Sequence, residues 1–219
     1  MLKRAVPCLA LFTMAGAMIA FVANAPAQPG VDKKSEKKEK GKKGDNVDRL
    51  PDRLDRLRRQ LDSTRPPDPE RQTLLSHSAV WANKADQLWR TQQPYIADRT
   101  LAAAEALFRA SDHLQHLAGA PGFPPPPPPP PAEDLARHLG QVYFRTRQAD
   151  YFLQEIHDNT ASPLASLARQ YYQRAVQAYD RSNLRAADEY GKMGEELVKA
   201  LECLAQAATI APGPGTGRQ

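Results

Sequence analysis

An all-α helical bundle of about five main helices, built on a duplicated helical hairpin, is the fold this sequence predicts. Three observations carry it. Residues 74–117 can be laid without a gap on residues 164–207, and 10 of the 44 pairs are identical, among them Ala85/Ala175, Ala97/Ala187, Asp98/Asp188, Glu105/Glu195, Leu107/Leu197 and Leu114/Leu204. Similar pairs such as Trp81/Tyr171, Lys84/Arg174 and Trp89/Tyr179 fall at the same offset of 90. Apolar residues through this region recur at helical spacing, and no stretch alternates as a strand would. Finally, the helical patterns are separated by Pro, Gly and polar clusters, the punctuation that ends helices.

Taken in order, residues 1–27 read as a secretory leader: Lys3 and Arg4, an apolar stretch from Ala5 to Ala23, and Ala25-Pro26-Ala27 ahead of Gln28. Cleavage after Ala27 is the expectation, which makes the protein exported, periplasmic or secreted. Retention as an anchor is the alternative, for which Pro7, Thr13 and Gly16 leave the apolar core marginal against a span of about 20 residues. No other segment is apolar enough to cross a bilayer, so the cleaved chain is not expected to be an integral membrane protein. After cleavage Cys203 is the remaining cysteine, and its neighbours Leu201, Leu204 and Ala205 suit a buried, inert thiol.

Residues 28–47 form a Lys/Glu-rich tail with almost nothing to bury, hence a disordered spacer; Lys33 to Lys43 would also suit an anionic envelope surface. The formal net charge of +5 belongs to the leader and this end of the chain. Residues 28–59 hold 12 Lys and Arg against 7 Asp and Glu, whereas residues 60–219 hold 16 against 18. A nucleic-acid-binding domain needs its positive face on the fold, so no nucleic acid is expected as partner.

Residues 48–62 carry Leu50, Leu54, Leu57 and Leu61 at spacings of four, three and four, a narrow apolar stripe on a charged helix that docks on the bundle or pairs with a second copy. Pro51 is tolerable only in its first turn. The bundle proper spans residues 70–210. Its first helix, Glu70 to Gln93, turns Leu74, Ser78, Trp81, Ala85, Leu88 and Trp89 inward; Pro94 then opens a second, to Leu117, with a kink in one long helix as the alternative, and its inner face is Ala97, Leu101, Ala104, Leu107, Phe108 and Leu114. Residues 119–131, with eight consecutive prolines, read as a polyproline II connector. Such a rod spans roughly 25 Å, the right order for carrying the chain from one end of a bundle toward the other; the alternative is a ligand for an aromatic-lined groove. A helix over 132–158 follows, with Leu135, Leu139, Val142, Tyr143, Ala149 and Phe152 inward. Ser162-Pro163 is a start signal for the next, and a last helix runs from about Leu184 to Ala208, where Gly191 and Gly194 offer close approach. Residues 211–219 are a flexible C-terminal tail.

The interleaving of Ala175, Ala187, Tyr190 and Ala200 is similar to that of tetratricopeptide repeats over roughly 40 residues, although the aromatic positions fall one residue away and the period is 90 instead of about 34. The resemblance implies protein binding and nothing about individual residues.

Chemistry is sparse. Motifs for acyl transfer, phosphate cradling, dinucleotide binding, covalent haem and carboxylate-bridged metals are missing, so no enzyme and no cofactor is expected. In the adjacent carboxylates Asp188/Glu189 and Glu195/Glu196, neighbours point about 100° apart on a helix, which turns one of each pair to solvent. The leading expectation is a non-catalytic interaction or scaffold module of the cell envelope, with an unidentified protein partner held by Leu50, Leu54, Leu57, Leu61, Trp81, Trp89, Tyr171 and Tyr179. The alternative is a small-ligand or metal-binding bundle in which His113, His116 and His138 converge; imidazoles of this kind suit zinc or copper. A straight proline rod would hold His138 apart from the other two.

Overall fold

The computed structural model describes residues 47–64, 68–119, 128–156 and 158–210. The leader, nearly all of the Lys-rich tail, residues 120–127 of the proline-rich connector and the C-terminal tail lie outside these residues. Among those described there are six α-helices and no strand: α1 (Leu50–Ser63), α2 (Pro69–Arg90), α3 (Pro94–Ala118), α4 (Ala132–Glu155), α5 (Ser162–Asp180) and α6 (Leu184–Ile210). A 3-10 turn, Asn159–Ala161, leads into α5.

Local chemistry sets the ends. The Asp68 carboxylate accepts from the Glu70 N–H at 3.0 Å, and Pro69 fills the first helical position, where its missing N–H costs nothing. Pro94 opens α3 as expected, and Gly119, at φ 61, closes it in the left-handed conformation. Ser162 departs from expectation. It is the first residue of α5, and the capping is done by Asp158, whose Oδ1 accepts from the Thr160 N–H at 2.9 Å. The 3-10 turn carries helical bonding up to Ser162, whose own N–H donates to Asn159 O, so Ser162 stands inside the helix with helical dihedrals and does not cap it.

The α2–α3 and α5–α6 turns repeat bond for bond. Gln92 N–H donates to Trp89 O (3.0 Å) and Gln93 N–H to Leu88 O (2.9 Å); 90 residues on, Ser182 N–H donates to Tyr179 O (2.8 Å) and Asn183 N–H to Ala178 O (2.9 Å). These are the paired bonds of a Schellman cap, and the residue that must turn left-handed is Gln92 (φ 58) in one and Ser182 (φ 60) in the other.

Helices α3 and α6 form the central, most extensive contact; α2 covers α3, α5 and α4 cover α6, and α1 lies on α2 and α3. The two central helices run antiparallel, because His113 near the end of α3 meets Glu189 near the start of α6. Leu101, Leu107, Leu164, Leu197 and Leu201 are fully buried between these layers. At about 2 kcal/mol for each buried leucine, this seam is the main source of stability. Gly194 permits a close backbone approach: a Cβ there would sit 3.4 Å from the Ala168 carbonyl oxygen of α5.

Of the two expectations for the leucine stripe, docking on the bundle holds: Leu50, Leu54 and Leu57 enter the core. The buried positions of α1 reappear on α4 at an offset of 92, as Val142, Thr146 and Ala149. Arg53 of α1 donates to Glu105 from Nε (3.0 Å) and Nη2 (2.8 Å), and Arg145 of α4 donates from Nη1 to Glu195, the residue 90 positions after Glu105, at 2.6 Å.

The expected run of the connector from one end of the bundle to the other is corrected. His116 ends up beside Glu189, while Leu139 and His138 lie against Gly191, so the chain leaves α3 and enters α4 at the same end. A proline run dictates only its own backbone; where α4 docks is set by Leu135 and Leu139 packing with Ala187 and Ala175.

Candidate functional site

The last turns of α3 present Asp112, His113 and His116, and the second turn of α6 presents Asp188 and Glu189. The i, i+3 spacing puts both imidazoles on one face of α3, toward α6. His113 Nδ1 donates to Glu189 Oε2 at 2.8 Å, His116 Nδ1 approaches the same oxygen at 3.4 Å, and the two rings meet edge to face with centroids 5.9 Å apart. One potential donor atom from each of the three residues lies within 4.8 Å of the others. Glu189 is buried, its side chain 5% exposed, whereas the two histidines keep 20% and 29% of theirs open. The group therefore has an enclosed carboxylate floor and a solvent-facing imidazole rim.

The carboxylates respond to this setting in opposite directions. Burial pushes the Glu189 carboxyl up, but the His113 hydrogen bond and the charges of His113, Lys192 and His116 together hold it below the usual range. For Asp112 burial prevails over Arg71, the two histidines and Arg109, and its carboxyl is raised. Lys192 Nζ lies 2.6 Å from Asp188 Oδ2 and 4.0 Å from Glu189 Oε1, one ammonium for two buried carboxylates.

Two of the three sequence-predicted histidines are thus brought together, and the third is not part of the group. His138 Nε2 lies 3.3 Å from Glu195 Oε2, a carboxylate that Arg145 also holds. That hydrogen bond, and against burial the charges of Arg145 and His138, lower the Glu195 carboxyl to about 2. The donor that sequence reasoning missed is Glu189. Adjacent carboxylates were expected to put one member in solvent, yet Asp188 and Glu189 are both buried, because α6 is covered by α3, α4 and α5 together. The offset of 90 held the missing signal: Glu189 aligns with Arg99, a charge reversal immediately after a matching Ala-Asp pair.

The residues expected to bind a partner are mostly core residues. Leu50, Leu54, Leu57, Trp81 and Tyr171 are buried, and Leu61 and Trp89 are half-buried against them. Tyr179 packs on the smaller cluster and donates its hydroxyl to Ala132 O at 3.3 Å. Their helical spacing reflects packing, and none of the buried five is available to a partner in this fold. Apart from Tyr95 at the start of α3, the exposed aromatics among the described residues are on α4 instead. Phe144 (69% exposed) and Tyr151 (62%) stand two turns apart on its outer face. Tyr143, expected inside, is 39% exposed; its ring sits 5.5 Å from Phe144 and 5.6 Å from Tyr172 between centroids, with the Arg147 guanidinium 5.8 Å away. Val142 takes the inward place that periodicity shared between the two neighbours.

No protein-family model, curated protein or solved structure matches the chain.

Proposed function

We propose that this is an exported, non-catalytic interaction module of a cell envelope, in which two related helical units present a protein-binding face on α4. The Lys-rich segment serves as a tether between that module and its surroundings. Export rests on the basic, apolar and small-residue sections of residues 1–27. The duplicated architecture rests on the offset of 90, on the two matching helix-ending turns, and on arginines from α1 and α4 that reach equivalent glutamates.

The observation that carries the binding reading is the exposed stripe of Phe144, Arg147 and Tyr151, flanked by Tyr143. Aromatic residues and arginine supply most hot spots at protein interfaces, and burying each ring would contribute about 2 kcal/mol to a complex. Helix α4 is packed on its inner side through Leu135, Leu139, Val142, Thr146 and Ala149, so its outer aromatics add nothing to that packing. Nothing in this reading involves a membrane span: no helix among the described residues is long and apolar enough to cross one.

The test is photo-crosslinking in the native envelope, with the reactive group at position 144, at position 151, and at exposed Thr73 on α2 as control. One protein captured at 144 and 151 but not at 73, and lost in a folded Phe144→Ala/Tyr151→Ala variant, is the expected result. No common protein at the two positions, or the same proteins at 73, overturns it.

A further inference from the structure

We propose that His113, His116 and Glu189 form a binding site for a single divalent transition-metal ion of the zinc and copper(II) class, independent of the α4 face. Four features carry it. Two imidazoles and one carboxylate are a ligand set these ions favour over calcium or magnesium, which take oxygen donors. The donor atoms already lie within 4.8 Å of one another, with His113 Nδ1 and His116 Nδ1 2.8 and 3.4 Å from one Glu189 oxygen. An ion bonded at about 2.0–2.2 Å to each of the three draws donor atoms together to roughly 3.3 Å, within reach of rotamer adjustment. The donors come from two rigid helices, α3 and α6, that form the principal interface of the protein.

Charge supports the same occupant. Asp188 and Glu189 are both buried, and Lys192 lies closer to Asp188 (2.6 Å) than to Glu189 (4.0 Å). Asp112, on the α3 side, faces Arg71 at 3.6 Å. A dication over Glu189 neutralises the carboxylate that now relies on hydrogen bonds from imidazole. On binding, the metal takes the Nδ1 lone pair of each histidine; the proton that Nδ1 turned toward Glu189 leaves that nitrogen through solvent, and each neutral ring then carries its one proton on Nε2. The partly open histidine rim leaves the remaining coordination position to water.

The chain contains its own control. The offset of 90 relates His113, His116 and Glu189 to Cys203, Gln206 and Arg99 at the far end of the α3–α6 seam. There the carboxylate is replaced by a cation, and no metal is expected.

Tag-free mature protein is titrated with Zn2+ and with Cu2+ by calorimetry, and its thermal unfolding is followed with and without metal. The expected result is one ion per chain, a Tm that rises with metal and returns with chelator, and a loss of affinity of at least about tenfold in His116→Gln. His138→Ala, which removes the Glu195 contact and touches none of the three donors, should bind as the parent does. Because Glu189→Gln removes a buried charge and can disturb folding, His116→Gln, at the exposed rim, is the decisive variant. Absence of saturable binding, or binding that His116→Gln leaves unchanged, overturns the proposal. Loss of binding in His138→Ala with retention in His116→Gln overturns it too and moves the site to Glu195.

Discussion

The half of the molecule formed by α1, α2 and α3 and the half formed by α4, α5 and α6 share a framework and differ in how they settle the same buried charges. In the first, Arg53 reaches across from α1 to both Asp98 (2.6 Å) and Glu105 (2.8 Å). Burial works against the Arg53 charge, yet the hydrogen bonds it donates to Glu105 and Asp98, and the charges of those carboxylates, raise its pKa above the ordinary value. In the second, Arg145 takes Glu195 and turns away toward Glu202, so Asp188 falls to Lys192, four residues on along its own helix. The next position holds Arg99 in one half and Glu189 in the other. Across the seam, His113 faces Glu189, whereas Cys203 feels the charge of Arg99; burial is the larger influence and pushes that thiol up. Backbone and apolar layers thus keep the arginine–glutamate pair and tolerate a change of partner at Asp98 and Asp188, so the features that distinguish the halves chemically sit on a handful of positions.

The largest effects should fall where the halves are alike. Leu107 and Leu197 occupy equivalent places and are both fully buried. Leu107→Ala and Leu197→Ala should each cost about 3 kcal/mol in urea unfolding, and the two should agree within about 1 kcal/mol. A difference of more than about 2 kcal/mol would break the equivalence, since it would mean that one cavity collapses and the other stays open.

The next effect separates the halves. Arg53→Ala strands two partly buried carboxylates together, and after allowance for their partial exposure it should cost about 2 kcal/mol. Arg145→Ala leaves Glu195 with His138, and its groups are more exposed, so about 1 kcal/mol or less is expected. Denaturant midpoints at neutral pH check the order; a costlier Arg145→Ala would show that the charge bookkeeping lies with α4 and not with α1.

What the sequence made legible was whatever is decided locally. Helix class, the break at Pro94, the stop at Gly119 and the inward leucines follow from a 3.6-residue period and from residues that fix or free the backbone. The histidine pair was visible for the same reason, as a spacing of three on one helix. Its carboxylate was not, because the burial of Glu189 beside Asp188 depends on three helices closing over α6. Tyr143 and Val142 are neighbours with nearly equal claims on the core, and only the docking angle of α4 decides between them. The α4 counterpart of the α1 stripe also escaped notice: Val142, Thr146 and Ala149 fill the places of Leu50, Leu54 and Leu57 at an offset of 92, two residues out of step with the hairpins.

The smallest effect tests the duplication at its most local point. Gln92 and Ser182 both hold a left-handed backbone that L side chains adopt at a cost of about 1 kcal/mol, and that glycine adopts freely. Gln92→Gly and Ser182→Gly should each raise stability, by about 0.5 kcal/mol once the greater freedom of glycine in the unfolded chain is counted. Both side chains are exposed, so packing does not enter. Asn183 side-chain capping of the Ala186 N–H at 3.1 Å belongs to the second turn, whereas the equivalent Gln93 makes no such cap on α3. If the left-handed residue alone governs, the two gains will match; if the cap also shares the load, Asn183→Ala will lower stability and Gln93→Ala will leave it unchanged. Equal gains from the two glycines, each read as a Tm shift of about 1–2 °C, would place the two turns in one energetic class as well as one geometric class.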